Sequence, residues 1–124
     1  MSFLKGLFGK NEEDESSNFW QNLEFPEDLE ALLDMSFAQK CVIFKHSTRC
    51  FISKTVLKNF EKEVGEVNDD GVSYYFLDLI KHRELSNKIA EKFQVRHESP
   101  QLLVIKDGVV INHASHQDIS TNLI

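Results

Sequence analysis

Two short apolar runs, Cys41–His46 (CVIFKH) and Val72–Leu79 (VSYYFLDL), flank a helical stretch, and this alternation most limits what the chain folds into. Each run is rich in β-branched and aromatic residues and reads as a buried strand. The stretch between them, from about Cys50 to Val64, keeps Ile52, Val56, Leu57, Phe60 and Val64 in one helical sector. Lys54, Lys58 and Lys62 form a stripe on the other side, and Gly65 is the expected stop. Upstream, Pro26–Gln39 predicts a helix: Pro26 suits a first turn, and acids crowd the end where the helix dipole favours them. Its apolar face is Leu29, Leu32, Leu33 and Phe37. Downstream, Glu84–Phe93 carries Leu85, Ile89 and Phe93 at helical spacing, and Ser99-Pro100 then breaks the chain. Leu102–Lys106, Asp107-Gly108 and Val109–Asn112 form a hairpin, and Gln117–Ile124 is expected as a short final helix. The order α-β-α-β-α-β-β-α predicts an α/β fold, with a mixed central sheet of about four strands flanked by helices.

A chain of 124 residues has room for one such domain. Residues 19–124 are expected to form it, behind a flexible acidic lead over residues 1–18. The opening MSFLKGLFGK is too short and too interrupted by Lys5 and Lys10 to be a signal peptide. Phe3 with Leu7, and Leu4 with Phe8, have helical spacing, but no apolar run nears the roughly 20 residues of a membrane span. No firm membrane association is expected. The net charge of -6 argues against general nucleic-acid binding. Two cysteines build neither a disulfide scaffold nor a four-cysteine zinc site, and His82, His113 and His116 form no ligand-spaced set, so no metal site is expected. Unpaired thiols and the lack of a signal suit a reducing cytoplasm, and a monomer is expected.

The charge is unevenly placed. Met1 to Asp34 holds nine acids and two lysines, and Met35 to Ile124 nets +1. From Met35 to Phe60 there is Lys40, Lys45, Arg49, Lys54 and Lys58 with no acid at all, and Cys50 sits inside that window. Such a run reads either as a solvated face or as a local positive field around a thiol.

Cys50 lies where a strand ends and a helix begins, after the turn and N-cap candidates Ser47, Thr48 and Arg49. Free backbone N–H groups and the positive dipole end gather there, and Lys54 is one turn on, a setting that favours the nucleophilic thiolate. Ser53 falls in the apolar sector of the helix, where a dithiol enzyme would hold its second sulfur. Cys41 opens a hydrophobic strand and is assigned to the core. The strand between the two thiols puts them well over about 10 Å apart, beyond disulfide reach. Cys50 is thus a single working cysteine in a Cys-Phe-Ile-Ser motif. His46, just before the turn, and His97, just before Ser99-Pro100, either assist thiol deprotonation or anchor their loops.

Three strings, FKHSTRCFIS (Phe44–Ser53), FQVRHESPQLLVIKDG (Phe93–Gly108) and ASHQDI (Ala114–Ile119), together resemble the YtxJ-like monothiol bacilliredoxin family of the thioredoxin superfamily. The resemblance spans about Phe19 to Ile124. It implies a thioredoxin-like fold and a catalytic Cys50, around which Thr48, Arg49, Phe51 and Ser53 are the expected active-site support. It implies a cis Ser99–Pro100 bond beside Cys50, in a substrate groove with His97. One position departs: the family usually has Pro directly after the cysteine, and this chain has Phe51, which supplies an N–H and an aromatic wall near the sulfur.

The implied activity is monothiol thiol-disulfide exchange that removes bacillithiol from mixed disulfides on cytoplasmic proteins. No bound cofactor is implied. Bacillithiol is the implied co-substrate, and bacillithiolated proteins and a low-molecular-weight thiol are the partners. Bacillithiol carries a malate with two carboxylates, so Arg49, Lys45, Lys54 and Lys58 form a possible charge complement. Ser53 cannot resolve a mixed disulfide, though it could hydrogen-bond a thiolate. Two other readings stand beside this one: a non-catalytic thioredoxin-like binding module using the groove beside Pro100, and an iron–sulfur carrier. Phe51 argues against the second, because a cluster needs glycine there for close approach.

Overall fold

A strand with apolar side chains on both faces has to lie inside its sheet, and the run at Lys40–His46 does. The computed structural model describes residues 19–67 and 69–124; the expected lead over residues 1–18 lies outside them. Strand β1 (Trp20–Asn22) is followed by α1 (Pro26–Met35), β2 (Lys40–His46), α2 (Phe51–Val67), β3 (Val72–Asp78), α3 (Arg83–Phe93), β4 (Gln101–Lys106) and β5 (Val109–Ser115). The sheet order is β1-β3-β2-β4-β5. β2 pairs in parallel with β3 and antiparallel with β4, β1 joins β3 in parallel, and β5 returns antiparallel to β4.

The two-residue period of β2 sorts the core into two layers. Cys41 and Ile43 pack with Leu29 and Leu32 of α1, Leu85 and Ile89 of α3, and Leu103 and Ile105 of β4. Val42 and Phe44 pack on the other face with Val56, Phe60 and Val64 of α2 and with Ile119. Among the described residues, no helix is long and apolar enough to cross a membrane.

The architecture is the expected mixed sheet between helices, with five strands rather than about four. The additional strand, β1, is three residues long and half exposed, too short to show a period in the sequence. Helix α1 ends at Met35 rather than Gln39. The Ser36 hydroxyl donates to the Leu33 carbonyl at 2.6 Å, and Ser36 also accepts the Asp107 and Gly108 N–H groups on its carbonyl and hydroxyl oxygens. Phe37 is therefore an exposed turn residue. Helix α2 runs through Gly65 to Val67. An interior helix glycine costs about 1 kcal/mol, which the burial of Val56, Phe60 and Val64 outweighs. The tail forms two 3-10 turns, His116–Asp118 and Thr121–Leu123, instead of a helix. At the β4–β5 turn Asp107 has φ 53° and Gly108 φ 81°, the left-handed pair that a two-residue hairpin turn requires.

Candidate active site

The turn from β2 into α2 is built by serines. Ser47 accepts the Cys50 N–H on its carbonyl at 3.2 Å and the Arg49 N–H on its hydroxyl at 3.4 Å. The Cys50 carbonyl takes the Lys54 N–H at 3.1 Å, so Cys50 stands at the N-cap of α2, at the positive end of a 17-residue helix. Its thiol is partly exposed, while Thr48, Arg49, Phe51 and Lys54 are exposed around it.

Ser53 is fully buried. Its hydroxyl oxygen accepts the Ser47 N–H at 3.1 Å and lies 2.7 Å from Nδ1 of His46. The hydroxyl thus ties the end of β2 on one side to the start of the turn on the other. Burial pushes the His46 pKa down, with Lys54 adding to the effect and Asp78 opposing it. Ser53 thus occupies the inward position expected of it but spends its hydrogen bonds on the turn. His46 acts as a loop anchor.

The Ser99–Pro100 bond is cis, and Pro100 is buried. The β2–β4 register pairs Phe44 with Leu102 and Lys45 with Gln101, and one further step sets Pro100 opposite His46, at the strand end from which the Cys50 turn departs. The Pro100 carbonyl accepts the His116 N–H at 3.0 Å.

Cys41 sits at the far end of β2, with its sulfur 3.6 Å from the Leu32 carbonyl. Burial pushes its thiol pKa up, against a hydrogen bond with Tyr75. The strand separates it from Cys50 by roughly 15 Å or more, beyond disulfide reach.

One of the expected charge residues lies elsewhere, and one groove residue turns a ring nitrogen away from the surface. Lys45 is fully buried, on the Cys41 and Ile43 face of the sheet, and its ammonium donates to the Ser86 carbonyl at 3.1 Å. It is not a surface charge for a ligand, because strand alternation turns it away from the basic stripe of α2. His97 aims Nδ1 inward, 3.4 Å from the Lys45 ammonium and 3.2 Å from the Ser86 hydroxyl. Ile52, expected in the core sector, is 44% exposed. With Phe51, which is 80% exposed, it lines a groove of about 340 Å³ along α2 that also takes in Thr55, Val56, Asn59, Glu63, Gln117 and Ile119. Ser47 builds the turn expected of it, whereas the N-cap falls to Cys50 rather than to Ser47, Thr48 or Arg49, and the inward polar pairing of Ser86 is an addition. The signal for Ser86 was available, since it follows Leu85 on the buried side of α3.

A single partly exposed thiol at a helix N-cap, at the same sheet end as a cis-proline strand start, is an arrangement for attack on a disulfide sulfur. Residues 21–124 match the monothiol bacilliredoxin BrxC family. The chain belongs to that family. It is similar to a solved structure described as having a thioredoxin fold, at 27% identity, covering 86% of this chain and 91% of that one with a TM-score of 0.75. It is also similar in fold to thioredoxin (Mala s 13) of Malassezia sympodialis, at 18% identity over 77% of each chain, with a TM-score of 0.64. Mitochondrial thioredoxin 3 of Saccharomyces cerevisiae matches at 20% identity over 82% of this chain and 87% of that one, with a TM-score of 0.63. As a bacilliredoxin, the chain has a thioredoxin fold and thiol-disulfide exchange activity, and redox proteins of this kind act in general on thiol-modified proteins.

Proposed function

We propose that Cys50 removes bacillithiol from mixed disulfides on cytoplasmic proteins. The Cys50 thiolate attacks the bacillithiol sulfur, the Cys50–bacillithiol bond forms, and the protein sulfur leaves as a thiolate that takes up a proton. A second bacillithiol thiolate then attacks the bound bacillithiol sulfur. It releases bacillithiol disulfide and regenerates the Cys50 thiolate. The chain supplies no resolving thiol: Ser53 has an oxygen at the second position, and Cys41 is buried at the other end of β2.

The observation that carries this reading is the isolation of one accessible thiol on a helix N-cap, at the sheet end where the Ser99–Pro100 strand start lies, in a chain of the bacilliredoxin family. Thr48, Arg49 and Phe51 surround the sulfur, and Arg49 and Lys54 are exposed cations that suit the malate carboxylates. Ser99 and Pro100 form the groove wall. The test is intact mass after exposure to bacillithiol disulfide. One adduct, present in Cys41→Ser and lost in Cys50→Ser, supports the reading. A Cys41–Cys50 disulfide overturns it. An active-site variant that still protects its partner in cells would mark a binding module instead.

A further inference from the structure

Behind the groove lies a buried cation that the exchange reaction does not use. Lys45 has no exposed surface, and the ion pair of Lys106 with Asp107 lies elsewhere. An unpaired buried ammonium is costly to a fold, so its bonds identify what it holds. It donates to the Ser86 carbonyl of α3 at 3.1 Å and lies 3.4 Å from Nδ1 of His97, and the Ser86 hydroxyl lies 3.2 Å from the same nitrogen. Two donors converge on Nδ1, which makes it the acceptor and leaves the ring proton on Nε2.

His97 belongs to the segment that ends in Pro100, and that segment is pinned at three points. The Gln101 side-chain amide donates to the Arg96 carbonyl at 2.8 Å, and the His116 N–H donates to the Pro100 carbonyl at 3.0 Å. The third pin, His97 to Lys45 and Ser86, is the one made by ionisable side chains. It connects the segment to β2, the strand that also delivers Cys50. We infer that Lys45 is a positioning residue, which through His97 fixes the His97–Pro100 segment relative to the Cys50 turn. This rests on the proposed function, in which that segment faces the mixed disulfide.

The arrangement also gives the groove a pH response. The groups facing His97 are Lys45 from β2, Arg83 from the start of α3, and its own neighbour Glu98. Burial and the two cations push the His97 pKa down, and Glu98 opposes them. When His97 does take a proton, Nδ1 becomes a donor pointed at an ammonium, and the pin opens.

The test uses the full chain and one protein substrate carrying bacillithiol or, separately, mercaptoethanol as a mixed disulfide. The wild-type rate on the bacillithiol form tests the proposed function. The ratio of variant to wild-type KM on the mercaptoethanol form tests the positioning role, whichever small thiol is natural. Lys45→Met is expected to raise KM about tenfold with kcat nearly unchanged, as loss of a remote positioning contact does. His97→Asn keeps an acceptor close to the Nδ1 position without an acid-range pKa. Whatever its value at neutral pH, its KM should remain flat as the pH falls into the acid range, where the wild-type KM climbs as His97 takes its proton. An unchanged KM in Lys45→Met overturns the inference, as does an equal acid-side climb in His97→Asn. The second comparison needs no change at Lys45, so it holds even if Lys45→Met does not fold.

Discussion

The hydroxyl of Ser53 lies 2.7 Å from Nδ1 of His46, inside the molecule and bonded to the turn. Where a dithiol oxidoreductase would hold a second sulfur, this chain has a structural strut. Removing it in Ser53→Ala leaves the Ser47 N–H and the His46 nitrogen buried without partners. The expected loss is about 1–3 kcal/mol, read as a lower urea midpoint at unchanged slope. A variant as stable as the parent would show that the strut carries no weight.

The two thiols should separate cleanly by reactivity. Cys50 is partly exposed, and Cys41 is buried with its thiol pKa pushed up by that burial. Iodoacetamide at pH 8 should add one label to the folded protein and two in urea. The folded Cys50→Ser variant should take none. Two labels on the folded wild type would mean that Cys41 is reachable and the core reading is wrong.

Lys45 predicts the alkaline side of the stability curve. Burial lowers its pKa from 10.5 to about 8 in the folded chain. Between those values the unfolded chain keeps a proton that the folded chain releases, so this residue makes stability rise with pH, by up to about 1.4 kcal/mol per unit. Below about pH 8 both states hold the proton, and the penalty is complete and constant. Cys41, Tyr74 and Tyr75 are shifted upward by burial and pull the other way at higher pH. The informative quantity is therefore wild type minus Lys45→Met, by denaturant titration at pH 7 to 10. A flat difference would mean the ammonium is better solvated than its burial implies.

Arg49 and Lys54 are exposed beside the thiol, so their pull on a dianionic ligand should be screened by salt. Replacing both with Gln should reduce turnover of a bacillithiol mixed disulfide several-fold at low ionic strength, with the gap closing near 1 M salt. Equal turnover at low salt would remove the two cations from ligand binding.

Phe51 begins α2 and leaves most of its ring in solvent. Proline is tolerated at a first helical position, whose N–H has no intrahelical acceptor. Phe51→Pro should therefore fold with stability equal to or up to about 1 kcal/mol above the parent, measured by thermal or urea unfolding. A loss of several kcal/mol would show that the Phe51 N–H is engaged in the turn.

Much of this was legible because the apolar runs and turn residues agree with one another. Cys41–His46 had to be interior, Asp107-Gly108 had to turn, and Cys50 had to fall at a strand-to-helix junction. Two kinds of information were not local. Trp20–Asn22 is a strand only because β3 offers a free edge, and three residues carry no period of their own. Lys45 was counted with the basic window by composition, yet the alternation from Cys41 and Ile43 already set it on the buried face opposite α2. Phase along the strand outranked charge, because a lysine with carbonyl and imidazole acceptors at hand can be accommodated inside.

The sheet order has a consequence for how durable the thiol's position is. β2 is laddered on both sides, with seven paired positions to β3 and five to β4. Its amides should be among the last to exchange with deuterium, opening with the whole molecule rather than by fraying. The sulfur hangs four residues beyond that strand, so its bearings are set by the slowest-opening part of the chain. Docking partners meet a fixed point, and adaptability is left to the exposed side chains of Phe51 and Ile52 around it.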